Sequence, residues 1–406
     1  MKGSSGNRQD PEPLIVKGIS HGLVSQALPL FCLTFIFFLN FLSRIILAPL
    51  MPAVEEDLGL GHGQAGGLFL FISIGYFLTL LGSGIFSSRL MHRGTIILSS
   101  ITVGIALLFI ALTDSLWGIQ LGLLFLGMAA GLYLPSGIST LTALIDSGQW
   151  GKAIAIHEMA PNLSFVAAPL VSEGLLALFM WRGALGVLGC ASLLAGIAFA
   201  RFGRGGAFPG EVPGMRSFRP LFSEPSFWIM MVLFTLGIGG TLGVYTMLPL
   251  YLVAEYGMDR NRANTLIALS RIPGPVMAFL AGWATDRVAP ERTMGVIFLL
   301  TGSATILLGA APGPWIVGMV FLQPLIAVCF FPPGFAALSS IGPPASRNIA
   351  VSLTVPIAFV LGGGAVPMVI GAVGGVGYFS LGFIIVGGVI FSGFILSFFL
   401  SSSWQA

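Results

Sequence analysis

The sequence predicts an all-α membrane protein with twelve transmembrane helices arranged as two six-helix pseudo-repeats. Apolar residues make up 56% of the 406 residues and charged residues only 8%, whereas soluble domains carry about one quarter charged residues. Twelve apolar runs are long enough to cross a bilayer, and the last six repeat landmarks of the first six. This composition excludes a soluble fold, because an aqueous protein could not cover so much apolar surface.

The apolar runs define the predicted spans, since a bilayer core requires about 20 apolar residues per helix. Six runs lie near residues 28–52, 64–86, 95–113, 116–145, 152–178 and 182–200. Six more lie near residues 226–254, 263–284, 293–311, 314–341, 347–374 and 377–400. We therefore divide the chain into an N-terminal segment (1–27), two bundles (28–200 and 226–400), a linker (201–225) and a tail (401–406).

The positions of Lys and Arg predict the orientation, because positive side chains resist translocation. With both termini in the cytoplasm, thirteen of the 18 basic residues face inward, while Arg182, Arg260 and Arg262 face outward. Two more, Arg44 and Arg271, fall within spans. We predict a protein of the plasma membrane, the inner membrane in a bacterium, with both termini cytoplasmic.

Landmarks in the two halves recur at one constant offset of 198 residues. The matched pairs are Gly84 and Gly282, Pro135 and Pro333, and Pro169 and Pro367. Parallel repeats of this kind bind substrate between the halves near mid-membrane and rock about that site.

The loop between spans two and three resembles the signature of the major facilitator superfamily, a resemblance that extends over nearly the whole chain. The signature appears as Gly84, Arg89 and Arg93, with Ser88 where the family usually has Asp; the second copy keeps the acid as Asp286, followed by Arg287. The resemblance implies the major facilitator fold and a cytoplasmic gate formed by Arg89, Arg93, Asp286 and Arg287. The alternative is that these are only inward-facing positive charges.

Two further motifs resemble organic-anion carriers within that superfamily. The segment 40–44, ending in Arg44, is similar to the first span of the anion:cation symporters, and the segment 270–273 around Arg271 is similar to monocarboxylate carriers. Those carriers tend to have an acid one turn before the arginine, where this chain has Ile267. The resemblance implies a small organic anion as substrate, with a coupling scheme that cannot be carried over unchanged.

Arg44 and Arg271 are the principal candidate site residues. An arginine inside a membrane helix costs about 2.5–3.5 kcal/mol on insertion scales, so it must face protein or water. At about 1.5 Å per residue, both lie roughly 12 Å below the outer surface, one in each half. A guanidinium offers a planar fork of donors to two oxygens, so the pair predicts carboxylate binding. The alternative is that each arginine pairs with backbone carbonyls or snorkels to the surface.

Four residues near the arginines complete the predicted site. Tyr133 and Asn162 are candidates to line it, and Glu158, followed by His157, is the candidate for proton coupling. Because neighbours on a helix point about 100° apart, at most one of Glu158 and His157 should face the cavity. An inner-gate hydrogen bond or salt bridge is the alternative role for these two. The phenylalanines of segments 35–41 and 330–331 are predicted to be packing residues.

No enzymatic, cofactor or metal site is predicted. The four histidines lie in different segments, and the sequence contains neither an HExxH motif nor a nucleotide-binding glycine loop. The basic residues are dispersed, which excludes a nucleic-acid partner. The sequence thus predicts a monomeric, gradient-driven carrier of a small organic carboxylate, coupled to protons and working by alternating access in the lipid bilayer. The alternatives are a proton-coupled drug or cation exporter and a transporter-like membrane sensor without solute flux.

Overall fold

The computed structural model describes residues 25–211, 219–341 and 344–402, and every regular element in these ranges is helical. The first helices are α1 (Ala27–Ile45), α2 (Leu47–Leu58), α3 (His62–Leu112), α4 (Leu116–Gly131), α5 (Tyr133–Leu144), α6 (Trp150–Leu176), α7 (Trp181–Phe202) and α8 (Arg219–Phe222). The next are α9 (Pro225–Ile238), α10 (Val244–Ala254), α11 (Arg260–Arg271), α12 (Gly274–Val288) and α13 (Pro290–Ala310). The last are α14 (Trp315–Ala327), α15 (Phe331–Leu338), α16 (Pro344–Ala358), α17 (Val366–Gly375) and α18 (Phe379–Ser402).

Two π-helical segments, Gly239–Gly243 and Phe359–Ala365, join α9 to α10 and α16 to α17. They pack against each other through glycines: a Cβ added at Gly362 would lie 2.6 Å from the backbone nitrogen of Gly239. The extra residue of a π turn leaves backbone groups outside the regular α-helical ladder, and such turns are frequent at functional sites. Both segments contribute residues to the central cavity described below.

Eleven helical stretches in the described part of the chain are long and apolar enough to cross a membrane. Most begin and end within a few residues of the predicted spans. The exception is α3, whose 51 residues contain the predicted spans 64–86 and 95–113. At about 1.5 Å per residue, its helical residues sum to about 77 Å, more than twice a hydrocarbon core of about 30 Å. The backbone is not helical at Met91, with φ 60° and ψ 166°, so α3 consists of two helical parts that meet at this residue.

Small residues bring α3 and α4 into direct backbone contact. A Cβ added at Gly75 would lie 2.0 Å from the Leu124 carbonyl oxygen, and one added at Gly127 would lie 2.0 Å from the Ile72 carbonyl oxygen. Without a hydrophobic force between helices in lipid, such close van der Waals packing is a main source of helix association.

We expect Gly75→Ala to destabilise the N-terminal half. The new methyl group clashes with a backbone carbonyl that cannot move aside, and overpacking of this kind costs about 1–3 kcal/mol. The matched control is Gly82→Ala on the same helix, where an added Cβ meets no atom within 4 Å. Thermal unfolding in detergent should show a lower melting temperature for Gly75→Ala alone; equal melting temperatures for the two variants would contradict the packing assignment.

The two halves meet through α6 packed on α11, α2 packed on α10 and α3 packed on α17. The largest buried apolar cluster extends across both halves. The beginning of the predicted linker also packs on the N-terminal half, since the amides of His92 and Arg93 donate to the carbonyls of Phe208 and Gly206. This attachment holds the linker against the break in α3.

Candidate functional site

A cavity of about 420 Å³ lies between the two halves. Its wall combines residues of α1, α3, α5 and α6 with residues of α9, α11, α12, α14, α15, α16 and both π-helical segments. Four of the predicted site residues lie on this wall: Arg44, Glu158, Asn162 and Arg271. The tertiary structure therefore brings together residues that are separated by more than 200 positions in the sequence.

Arg271, the last residue of α11, is 8% exposed. Its guanidinium carbon lies 4.9 Å from the ring centroids of both Phe165 and Tyr245, and Nη2 donates to the Thr241 carbonyl oxygen at 3.4 Å. Its Nε is buried without a hydrogen-bond partner, and no described carboxylate forms an ion pair with it. Arg271 therefore has a backbone carbonyl partner, as the alternative interpretation predicts, but its Nε donor has no partner.

Arg44, near the end of α1, is 7% exposed and surrounded by aromatic rings. Its guanidinium carbon lies 4.3 Å from the centroid of Tyr76, 4.7 Å from that of Phe41 and 5.6 Å from that of Phe359. Its Nε is also buried without a partner, and it forms no ion pair with a described residue.

Aromatic faces stabilise both buried guanidinium groups in place of carboxylates. A cation over a ring face gains about 2 kcal/mol when desolvated, and the buried Nε of each arginine has no hydrogen-bond partner. Each arginine also touches a ring of the opposite half, Arg44 through Phe359 and Arg271 through Phe165. The site therefore carries two buried positive charges at the junction of the halves, neither of them in an ion pair among the described residues, an arrangement suited to an anion.

Glu158 and Asn162 lie one turn apart on α6, and both face the cavity. The Glu158 side chain is 47% exposed, and the Asn162 amide donates to the Glu158 backbone carbonyl at 3.1 Å. Of the predicted proton-coupling pair, Glu158 is thus the member on the wall, as the 100° separation of neighbouring residues requires.

The structure places Tyr133 and His157 behind the wall instead of on it, and both are fully buried. The Tyr133 hydroxyl donates to the Leu33 carbonyl oxygen at 2.6 Å and lies 3.1 Å from His157 Nε2. The His157 ring stacks on Phe37, with centroids 4.5 Å apart, and Phe37 itself lines the cavity. The Tyr133 hydroxyl faces the His157 imidazole, so Tyr133 does not reach the cavity.

Two of the residues predicted to form the cytoplasmic gate, Arg93 and Arg287, make side-chain contacts within their own halves. Arg93 donates to the Ala200 carbonyl oxygen at 3.0 Å, and the Arg287 guanidinium lies 3.9 Å from the Trp283 ring centroid. Among the described residues, neither these two nor Arg89 nor Asp286 forms an ion pair.

A cross-half polar cluster that sequence reasoning missed lies at the predicted outer face. Glu173 of α6 accepts hydrogen bonds from Arg260 Nε at 3.0 Å and from the Asn264 amide at 2.6 Å, both on α11. The same amide donates to the Pro49 carbonyl oxygen of α2 at 3.2 Å. The available signal was that Glu173 is one of only two carboxylates placed within the predicted spans, while Arg260 lies just before the predicted span 263–284 of the other half.

Sequence reasoning also missed the aromatic residues of the site. Phe37, Phe41 and Phe331 belong to segments predicted to be packing residues, yet all three line the cavity. Tyr76, Phe165 and Phe359 likewise gave no local signal, because an aromatic residue in a membrane helix has the same sequence appearance whether it faces lipid, core or cavity. The role of each of these rings depends on which guanidinium group it contacts in the folded protein.

Residues 33–274, well over half of the chain, match the model of the Major Facilitator Superfamily. The chain belongs to that superfamily. It is therefore an integral membrane protein of a family of transporters, and the predictions of a helical membrane fold and of a non-enzymatic role are confirmed.

Three bacterial proteins resemble this chain at low identity. The membrane sensor protein UhpC of Escherichia coli is 22% identical over 70% of this chain and 69% of its own length. The probable sulfoacetate transporter SauU of Cupriavidus necator is 23% identical over 73% and 74% of the two chains. The gallate transporter of Pseudomonas putida is 25% identical over 64% and 65%. The predicted likeness to organic-anion carriers is thus confirmed.

Among solved structures, a bacterial homologue of the human lysosomal transporter Spinster, in an inward-facing and unoccupied conformation, superimposes with a TM-score of 0.81. The superposition covers 94% of this chain and 98% of the other at 16% identity. This similarity establishes the fold.

Proposed function

We propose that this protein is a secondary active transporter that carries a small organic anion of the carboxylate class across the plasma membrane, together with protons, by alternating access. The observation that carries the proposal is that Arg44 and Arg271 both face the central cavity with buried, unpartnered Nε atoms, and that no carboxylate of the described residues forms an ion pair with either. Two permanent charges in a low-dielectric site are stabilised by an anion that enters between them.

The proposed architecture is twelve spans in two six-helix repeats, residues 28–200 and 226–400, joined by a cytoplasmic linker at 201–225. The length of α3 and its break at Met91 support two crossings by this one helix. The constant offset of the repeated landmarks supports the pairing of the halves, and the distribution of basic residues supports cytoplasmic termini. Because the cavity is complete within one chain, we propose that the monomer is the functional unit.

The chemistry of the wall favours an organic anion over an inorganic one. Aromatic rings of Phe41, Phe165 and Phe359 lie beside the guanidinium groups, so an apolar substrate body can pack where its carboxylate is bound. The cavity, at about 420 Å³, is within the usual size range for small-molecule sites. The names of two relatives, a sulfoacetate and a gallate transporter, also designate small organic anions.

Alternating access is supported by the unequal closure of the two faces. At the predicted outer face, Glu173, Arg260 and Asn264 join the halves. Toward the predicted inner face the wall extends to Glu158, whose side chain is half exposed. We propose that the cluster around Glu173 is the outer gate, that Arg89, Arg93, Asp286 and Arg287 close the inner side in the opposite state, and that Glu158 binds the coupled proton.

A sensor without solute flux is the second candidate, favoured by the likeness to UhpC. It would use the same anion site, so binding alone does not separate the two functions. A drug or cation exporter is disfavoured, since two buried arginines outside any ion pair of the described residues repel a cation.

Uptake into proteoliposomes tests the proposal. With an alkaline interior, labelled small carboxylates such as benzoate, lactate and succinate should be offered in turn, and at least one should accumulate above its equilibrium level. A protonophore should abolish the accumulation, and protein-free liposomes are the control. Saturable anion binding without flux would support the sensor, whereas accumulation of a labelled lipophilic cation would support the exporter.

A further inference from the structure

We infer that Tyr133 is a positioning residue that fixes the tautomer of His157, so that His157 and Glu158 together hold one transported proton. The inference rests on the proposed proton-coupled function. It assigns to Tyr133 the role of limiting the pair of His157 and Glu158 to a single bound proton. Its evidence is the hydrogen-bond geometry behind the cavity wall, where three side chains of α5 and α6 meet the backbone of α1.

The first step is the direction of the tyrosine hydrogen bond. The Tyr133 hydroxyl lies 2.6 Å from the Leu33 carbonyl oxygen, and a carbonyl can only accept, so the single phenolic proton is used there. Toward His157 Nε2, at 3.1 Å, the same oxygen must accept. Nε2 therefore carries a hydrogen in both the neutral and the charged imidazole.

The second step concerns the opposite ring nitrogen. A neutral His157 with hydrogen on Nε2 has a bare lone pair on Nδ1, and Nδ1 lies 3.4 Å from Glu158 Oε1. Two lone pairs facing each other at this distance repel if the carboxylate is ionised. The contact becomes attractive when one additional proton is present, either on the Glu158 carboxyl group or on Nδ1.

The aromatic stack fixes the plane of the imidazole ring. The His157 ring lies nearly parallel to Phe37 at 4.5 Å and to Tyr133 at 5.9 Å, with interplanar angles of 10° and 7°. A 180° flip of the ring within this stack would move Nε2 away from the Tyr133 hydroxyl, which lies 3.1 Å from it, and a ring face also stabilises an imidazolium. The other charged groups on the wall are Arg44 and Arg271, contributed by α1 and α11.

The third step connects the proton to the anion site. A proton from water in the cavity binds the pair and leaves by the same route, so no other group gains or loses charge. When the proton leaves, the ionised Glu158 is repelled by the Nδ1 lone pair and faces a cavity that contains both arginines. An ionised Glu158 then competes with the substrate anion, whereas a protonated pair leaves the arginines to the substrate.

Nitrogen NMR of ¹⁵N-histidine-labelled protein tests the tautomer directly, without any transport. At about pH 8.5, where an ordinary histidine is neutral, the resonances of His157, assigned with His157→Gln, should show hydrogen on Nε2. In Tyr133→Phe this preference should weaken or reverse, because Nδ1–H can then donate to Glu158. A wild-type tautomer with hydrogen on Nδ1, or an unchanged spectrum in the variant, would overturn the inference.

Transport measurements test the consequence for coupling. Because Tyr133→Phe allows the pair to form its hydrogen bond without an extra proton, half-maximal proton-driven uptake should move to lower pH, with anion exchange retained. Tyr256→Phe is the control, since Tyr256 donates to the Ala311 carbonyl oxygen at 2.7 Å outside the cavity wall. A merely structural role would lower the melting temperature and leave the pH profile unchanged, which would count against the inference.

The two experiments also separate this inference from the proposed function. If the NMR tautomer is found but no anion is ever transported with protons, the proposed function fails and the tautomer assignment stands. If protons and anion move together while Tyr133→Phe alters neither the spectrum nor the pH profile, the proposed function stands and the inference fails.

Discussion

Replacing Arg271 by lysine should abolish or greatly weaken anion transport while leaving the protein folded. Lysine keeps the positive charge but loses the planar fork of donors and the stacking on the rings of Phe165 and Tyr245. Charged hydrogen bonds are worth about 1.5–3 kcal/mol each, so loss of one should weaken anion binding by about 10- to 100-fold. The measurement is the dissociation constant of a transported anion, together with uptake into proteoliposomes.

The matched control is Arg262→Lys, because Arg262 lies on the same helix, α11, with an exposed side chain. It should bind and transport like the wild type. Arg271→Gln, which removes the charge, should be at least as severe as the lysine variant. If Arg271→Lys and Arg262→Lys transported equally well, the assignment of Arg271 to the substrate would be wrong, and only the superfamily architecture would remain.

The second large effect is expected at the cluster that joins the halves at the predicted outer face. Arg260→Glu places a second carboxylate beside Glu173, whose present partners are Arg260 and Asn264. The repulsion should open that face, and a cavity cysteine introduced at Leu242 should become more reactive toward an impermeant thiol reagent. A tenfold rise in labelling rate corresponds to about 1.4 kcal/mol, a reasonable size for this pair, since the Arg260 side chain is 38% exposed.

The charge-swapped double variant, Glu173→Arg with Arg260→Glu, provides the control for the gate. It restores an attractive pair, so labelling should return toward the wild-type rate. The native cysteines, Cys32, Cys190 and Cys329, must first be replaced by serine or alanine to remove background reaction. Labelling that stays high in the double variant, or never rises in the single one, would show that this cluster does not control access.

Much of the site could be predicted from single residues because a charge in hydrocarbon is costly wherever it occurs. Arg44 and Arg271 were recognisable for this reason, and both lie on the cavity wall. Glu158 was recognisable in the same way. Tyr133 was assigned to the wall on its residue type alone, and the structure places it one layer behind, since residue type does not reveal which direction a helix faces.

The partners of the arginines could not be predicted, because their roles exist only across the interface of the halves. Phe165 belongs to α6 and contacts Arg271 of α11, and Phe359 belongs to a π-helical segment and contacts Arg44 of α1. Neither phenylalanine differs in local sequence from the many aromatics that face lipid. The cluster of Glu173, Arg260 and Asn264 could not be predicted for the same reason, because its members contact one another only when α6 packs on α11.

The sequence by itself determined that this protein lies in a membrane and which of its segments are helical. Apolar runs about 20 residues long must be helical in a bilayer, since every backbone polar group requires an internal partner there, and the buried arginines follow from the same cost. Only the tertiary structure decided which side chains surround those arginines, that the two helical parts of α3 meet at a break at Met91, and that His157 lies between Tyr133 and Glu158. These features depend on helix rotation and on contact between distant segments, which the periodicity of one chain does not specify.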